Sequence, residues 1–254
     1  MLRTAIALYS QVIIFSMHTV KRTILVTGAS SGIGLAVVQN LLQQGHTVIG
    51  VARRIILLNE YVENYIPVSM DLSQLHNLPE KIRELQKAYP NLDAVVFCAG
   101  IGQFGSIEEF SYAQIESVMT VNFTSQVYLT KALLPDLKRK PYSDLIYIGS
   151  EAALKGSRKG AVYCASKFAL RGFTQALRED CGKSNVRVSL INPGMVKTPF
   201  FDQLYFEPGD HETNSIAPED VAEAVAYVLS SPAQIVIDEI NLSPLNKVVK
   251  FKKT

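Results

Sequence analysis

Hydrophobic and polar positions alternate along the chain between two kinds of run. Short, largely β-branched runs stand at 23–28 (TILVTG), 47–52 (TVIGVA), 92–100 (LDAVVFCAG), 144–150 (DLIYIGS), 186–194 (VRVSLINPG) and 235–242 (IVIDEINL). Runs that are apolar on both faces predict buried parallel strands. Between them, segments around 33–45, 78–89, 111–138, 163–182 and 218–230 carry apolar residues at helical spacing. The first of these stops at Gly45, a natural residue just past a helix end. No repeat, low-complexity linker or abrupt shift of composition interrupts the alternation. It predicts βαβ units and an α/β fold, a single doubly wound parallel sheet with helices on both faces. Right-handed crossovers then put any ligand outside the carboxyl ends of the strands. One domain is expected over 21–246, with a long loop at 199–220, an extension at 1–20 and a basic, solvated tail at 247–254.

The 254 residues are 48% hydrophobic and 19% charged, ample for one core. A net charge of +2 gives no electrostatic reason to expect nucleic acid. Cys98, Cys164 and Cys181 are odd in number and form no CxxC pair. They read as reduced thiols in a cytoplasmic protein, not as a disulfide framework or a metal site. The apolar stretch from Ala5 to Phe15 is broken by Ser10 and Gln11 and is too short to span a membrane, so no stable insertion is expected. The first reading of this segment is an appended or mis-started piece, with the true start near Met17. A short amphipathic extension and a secretory signal follow in that order.

Chemistry enters with TGASSGIG (27–34), between the first strand and the first helix. Gly28 suits a tight turn, and Gly32 suits close approach of backbone to a phosphate. Gly34 suits packing of the helix on the strand, with Ser30, Ser31 and Ile33 completing the loop. The spacing is GxxxGxG rather than GxGxxG, and the Lys-Ser/Thr pair of a P-loop is missing. The second strand ends in VARR, and no Asp or Glu lies between Gly34 and Glu60. In dinucleotide folds an acidic residue at this point binds the ribose of NAD, whereas Arg accommodates the 2′-phosphate of NADP. Two arginines at a strand end also serve solubility, but after such a loop they read as an NADP (NADPH) signature. Arg53 is expected as the direct ligand and Arg54 as its support.

YCASK sets Tyr163 and Lys167 one helical turn apart, on one face. A phenol with a pKa near 10 is a poor proton carrier at neutral pH. An adjacent ammonium and a nearby nicotinamide cation favour the phenolate and bring it toward working range. Ser150 ends the strand DLIYIGS, where its hydroxyl suits a substrate carbonyl oxygen.

These motifs, with NPG and a following Thr at 192–198 and Asn122 in VMTVNF, occur in the order and approximate spacing of one family. From about Arg22 to Pro244 the sequence resembles the short-chain dehydrogenases/reductases, single-domain Rossmann enzymes. The resemblance implies that Tyr163 is general acid in carbonyl reduction and base in alcohol oxidation. Lys167 would lower its pKa and bond the nicotinamide ribose, Ser150 would orient the substrate oxygen, and Asn122 would anchor a water relaying protons to Lys167. Pro193, Gly194, Val196 and Thr198 would hold the carboxamide. Asp71, followed by Leu72, would contact adenine, and Ala99 and Gly100 would lie beside the ribose. It further implies a homodimer or homotetramer paired through 111–138 and 163–182. One departure is that the family's Asn-Ala-Gly is Cys98-Ala99-Gly100 here, which questions local hydrogen bonding more than chemistry. Cys164 beside Tyr163 reads as packing, with a redox role as the alternative. The extension before the first strand is the other departure.

The expected activity is NADP-dependent interconversion of a carbonyl compound and an alcohol by hydride transfer, on a small ketone, aldehyde or hydroxy acid. The alternative is a non-catalytic NADP(H)-binding regulator, and a third is a reductase tethered to membranes by residues 1–16. Specificity is expected in 199–220, whose aromatics line an apolar pocket or form the core of a short helix. Lys155, Arg158 and Lys159 either attract an acidic substrate or are simply solvated.

Overall fold

Seven parallel strands form the central sheet, in the order β3-β2-β1-β4-β5-β6-β8. The structure is a computed structural model describing residues 21–252; the extension 1–20, with all readings of it above, lies outside the described residues. The strands are β1 (Thr23–Thr27), β2 (Thr47–Ala52), β3 (Tyr65–Ser69), β4 (Leu92–Phe97), β5 (Ser143–Ile148), β6 (Val186–Pro193) and β8 (Glu239–Leu242). The reversal of order at β1 and β4 opens a crevice at the carboxyl ends of the central strands. Helices α1 (Gly32–Gln43) and α6 (Pro218–Ser230) cover one face, burying Val37, Leu41, Val221 and Val225 with Ile24 and Val26 of β1. Helices α2 (Leu78–Ala88), α4 (Ser125–Leu137) and α5 (Ala161–Asp180) cover the other, with Ile82, Leu133 and Leu170 packed around Leu25 and Phe97.

Three elements differ from the sequence expectation. Strand β3 was not foreseen because Pro67 interrupts its apolar run; it is an edge strand, where a residue without an N–H is tolerated. The last strand spans only 239–242, because β6 pairs with it only from Leu190↔Glu239 onward, and Ile235 instead closes a turn to Pro232. The segment 111–138 is not one continuous helix. It comprises α3 (Tyr112–Met119), a π-helical turn at Thr120–Thr124 and α4.

The basic tail is exposed, as expected of a solvated end, but it is pinned to the long loop. Val249–Phe251 form β9, antiparallel to β7 (Phe206–Pro208) in the long loop, with Glu207 opposite Lys250. The Lys252 ammonium donates to the carbonyl oxygens of Phe201 and Asp202, at 2.5 and 3.1 Å. The tail is thus a strap across the loop 199–214.

At the opposite, amino end of the sheet, Asp144 of β5 is fully buried between two arginines. It accepts from Arg22 Nη1 at 2.5 Å and from Arg187 Nε and Nη2 at 2.7 and 3.1 Å. Asp93 joins through Arg22 Nε at 2.9 Å; burial pushes its carboxyl above the usual range, against the pull of Arg22.

Candidate active site

A cleft of about 1050 Å³ runs along the carboxyl ends of the strands. Every catalytic and cofactor-binding residue singled out in the sequence lines it except Arg54 and Asn122, and of the three cations between Ser150 and Tyr163, Lys155 and Arg158 line it but Lys159 does not. Both arginines lie in the bend just past β2 and are exposed; Arg53 lines the cleft and Arg54 does not. Asn122 is fully buried behind the wall.

The glycine loop has the geometry of an anion cradle. Gly28 and Gly32 adopt φ of +70° and +53°, a region L side chains rarely enter. A Cβ on Gly34 would lie 2.2 Å from the Gly28 carbonyl oxygen, so α1 packs on the end of β1 only through a residue without one. Ser31 caps α1 without a side-chain hydrogen bond, which leaves the first-turn N–H groups free to face the cleft. These features, with Arg53 at the end of β2, fit a dinucleotide phosphate and its ribose. Asp71 accepts from the N–H and hydroxyl of Ser73 at 2.9 and 2.8 Å, and these bonds hold its carboxyl below the usual range.

Thr27 answers the question raised by Cys98. Its hydroxyl oxygen accepts from the N–H groups of both Cys98 and Ala99, at 3.1 Å each, so the backbone there is satisfied without an Asn. Burial pushes the Cys98 thiol up to about 12, leaving it a neutral, space-filling group. Cys98 is half-buried and Cys164 buried, the latter 3.5 Å from the Ser157 hydroxyl.

Tyr163 and Lys167 sit on the first turns of α5, both buried. The Lys167 ammonium donates to the Ile148 carbonyl at 3.1 Å and lies 5.8 Å from the centre of the Tyr163 ring. Burial lowers its pKa to about 8 and raises that of Tyr163 to about 12, while a hydrogen bond with Ser150 pulls the phenol down. The group that pulls the phenol down is thus Ser150 rather than Lys167, against the sequence expectation, and desolvation, which acts on both Tyr163 and Lys167, outweighs it. Ser150 is held by Asn192, whose Oδ1 accepts from the Ser150 N–H at 3.2 Å and whose amide bonds Glu239 and Asn241. Asn122 lies in the π-helical turn, a common device at functional sites. Its side chain bonds both polar backbone groups of Ile101 at 2.8 and 2.9 Å and reaches Ser166 at 3.1 Å.

Around the Tyr163 ring the walls are aromatic. Phe104 and Phe200 have centroids 5.0 and 5.9 Å from it. Both readings of the 199–206 aromatics hold in part: Phe200, Phe201, Tyr205 and Phe206 line the pocket, and Phe201 also packs with Leu204 and Met195 as a small core at a 3-10 turn. Sequence reasoning missed Thr27, Asn192, Phe104, Glu151 and Lys247. A lone Asn in the apolar run VRVSLIN was the visible signal for Asn192; Lys247 had none, being a cation in a tail.

The family model for short chain dehydrogenases matches residues 22–207. An NADP-dependent 3-hydroxy acid dehydrogenase from Shigella flexneri is 31% identical over 236 residues, covering 88% of this chain and 95% of that protein. A serine dehydrogenase from Escherichia coli superposes with TM-score 0.76 at 30% identity, covering 87% of this chain and 96% of its own. The closed form of a serine dehydrogenase complexed with NADP+ gives 0.74 at 28% identity, over 87% and 94%. With the sheet, the cleft and the Ser150–Tyr163–Lys167 cluster, these likenesses make one conclusion plain: the chain belongs to the short-chain dehydrogenase family and is one of its oxidoreductases.

Proposed function

We propose that the protein is an NADP-dependent oxidoreductase interconverting a small carbonyl compound and its alcohol, with Tyr163 as general acid and base. The observation that carries this reading is the convergence of Ser150, Tyr163 and Lys167 in one cleft with the glycine loop and Arg53. A bound nicotinamide supplies or accepts the hydride at the substrate carbon. Arg53, with no carboxylate beside it on β2, suits a 2′-phosphate, and the relatives named above that carry NADP in their descriptions support the choice. Ser150 and Tyr163 hold the substrate oxygen between two hydroxyls. In reduction the neutral phenol gives its proton to the forming alkoxide, and the Lys167 ammonium stabilises the phenolate left behind. Proton return toward Tyr163 runs through the Lys167 ammonium, with Asn122, at the rear of the site, anchoring a water that relays the proton to Lys167. The aromatic walls of Phe104 and Phe200 keep bulk water from the reacting atoms.

The pH dependence tests this reading, and its sign follows from the two shifts. Reduction needs the phenol protonated and Lys167 charged; both hold below about pH 8, so kcat/KM with NADPH is level there and falls as Lys167 loses its proton. Oxidation needs the phenolate, whose population grows toward about 12, so its rate rises with pH across the same range. Opposite slopes for the two directions are expected in steady-state assays; parallel slopes would remove Tyr163 from the acid–base role.

A further inference from the structure

The substrate end of the cleft is apolar near the chemistry and cationic at its mouth. Lys155 and Arg158, from the loop between Ser150 and Tyr163, line it together with Lys247, which the carboxy-terminal strap carries in. Only two carboxylates line the whole cleft, Asp71 beside the glycine-loop end and Glu151 next to Ser150. None of the ion pairs among the described residues uses Lys155 or Arg158. Lys247 forms an ion pair with Glu151, Nζ to Oε1 at 2.7 Å, and an ammonium has three donors, so the pair leaves at least two for another acceptor.

The supporting backbone is fixed rather than loose. Lys159 adopts φ of +58°, the one non-glycine residue in the left-handed region among those described. Its carbonyl accepts from the Gly105 N–H at 2.8 Å, and its ammonium lies 5.4 Å from the centre of the Tyr205 ring. Such a strained conformation persists only where its surroundings hold it, and here it fastens the loop bearing Lys155 and Arg158 to the pocket rim. The strap is fastened on the other side by its β7–β9 pairing and by Lys252.

We propose that this end of the cleft binds a compact anionic group on the substrate, with Lys247 as a specificity-determining residue and Lys155 and Arg158 completing the site. This rests on the carbonyl-reductase reading and narrows it to carbonyl compounds, or their alcohols, that carry a carboxylate or a phosphate. Glu151 is the internal competitor: it occupies one donor of Lys247 and repels an incoming anion.

The test compares charged and neutral partners of the same skeleton, acetoacetate with methyl acetoacetate and dihydroxyacetone phosphate with dihydroxyacetone, as substrates with NADPH. Where turnover is too slow to read, each is titrated into the protein–NADPH complex by nicotinamide fluorescence. The charged member is expected to be favoured at least about tenfold in one pair, and that pair identifies the anion. Lys247→Met lowers that ratio about tenfold, Lys247→Arg keeps it, and Glu151→Gln raises it, because the freed ammonium gains a donor. A merely structural ion pair would lower the ratio equally in Lys247→Met and Glu151→Gln, and that result overturns the proposal. So does a charged-to-neutral ratio of one in both pairs, whether in turnover or in binding. Failure of the underlying reading is visible separately, as absent NADPH binding or as turnover that survives Tyr163→Phe.

Discussion

Tyr163→Phe is expected to lower kcat/KM by about 10²–10⁴-fold in both directions, the usual contribution of a positioned proton donor. The substitution deletes one oxygen from a buried ring and keeps its packing against Phe104 and Phe200. The fold and the NADPH affinity should therefore persist, and the loss should lie in kcat. Ser150 and Lys167 remain but lack the phenol that passes a proton between them and the substrate: the serine hydroxyl still holds the substrate oxygen, and the ammonium then faces no phenolate. Steady-state kinetics, with NADPH binding measured alongside, check this. Retained turnover would place the proton donor elsewhere.

The second large effect concerns stability. Asp144→Ala leaves the Arg22 and Arg187 guanidinium groups in the interior without the carboxylate they share. Removing one partner of a buried ion pair typically costs about 3–5 kcal/mol, much of the 5–15 kcal/mol that holds an ordinary domain together. Arg22 keeps Asp93, and Arg187 keeps carbonyl acceptors at Ser231 and Pro232, so the lower half of that range is expected. Denaturant midpoints read the loss. Because the network lies at the amino end of the sheet, NADPH affinity under native conditions should not change. A loss under about 1 kcal/mol would mean that the arginines reach water or repartner.

The main strands and most helices were legible because their apolar runs are local and continuous, as in TILVT and VRVSLINP. Motifs whose meaning depends on fixed spacing, the glycine loop and the Tyr163–Lys167 turn, were legible for the same reason. Features set by tertiary partners were not. Strand β3 hides behind Pro67, which only its edge position tolerates. The π-helical turn at Asn122 has no signature in a segment of good helical periodicity. Strand β9 is exposed and basic, and only pairing with β7 reveals it as the strap that brings Lys247 to the cleft. The protonation state of Tyr163 was legible only in part, since spacing shows the lysine but not the burial that opposes it. The arginine pair divides along the same line: both residues are visible in VARR, but only the bend after β2 tells Arg53, which lines the cleft, from Arg54.

The most direct test of the account needs no substrate: titration of the protein with NADPH and with NADH by nicotinamide fluorescence, repeated on Arg53→Ala. The account predicts NADPH at least about tenfold tighter, a difference of roughly 1.4 kcal/mol, and loss of that gap in the variant. Equal binding of the two cofactors by the unaltered protein would contradict it and reduce VARR to a solvated strand end.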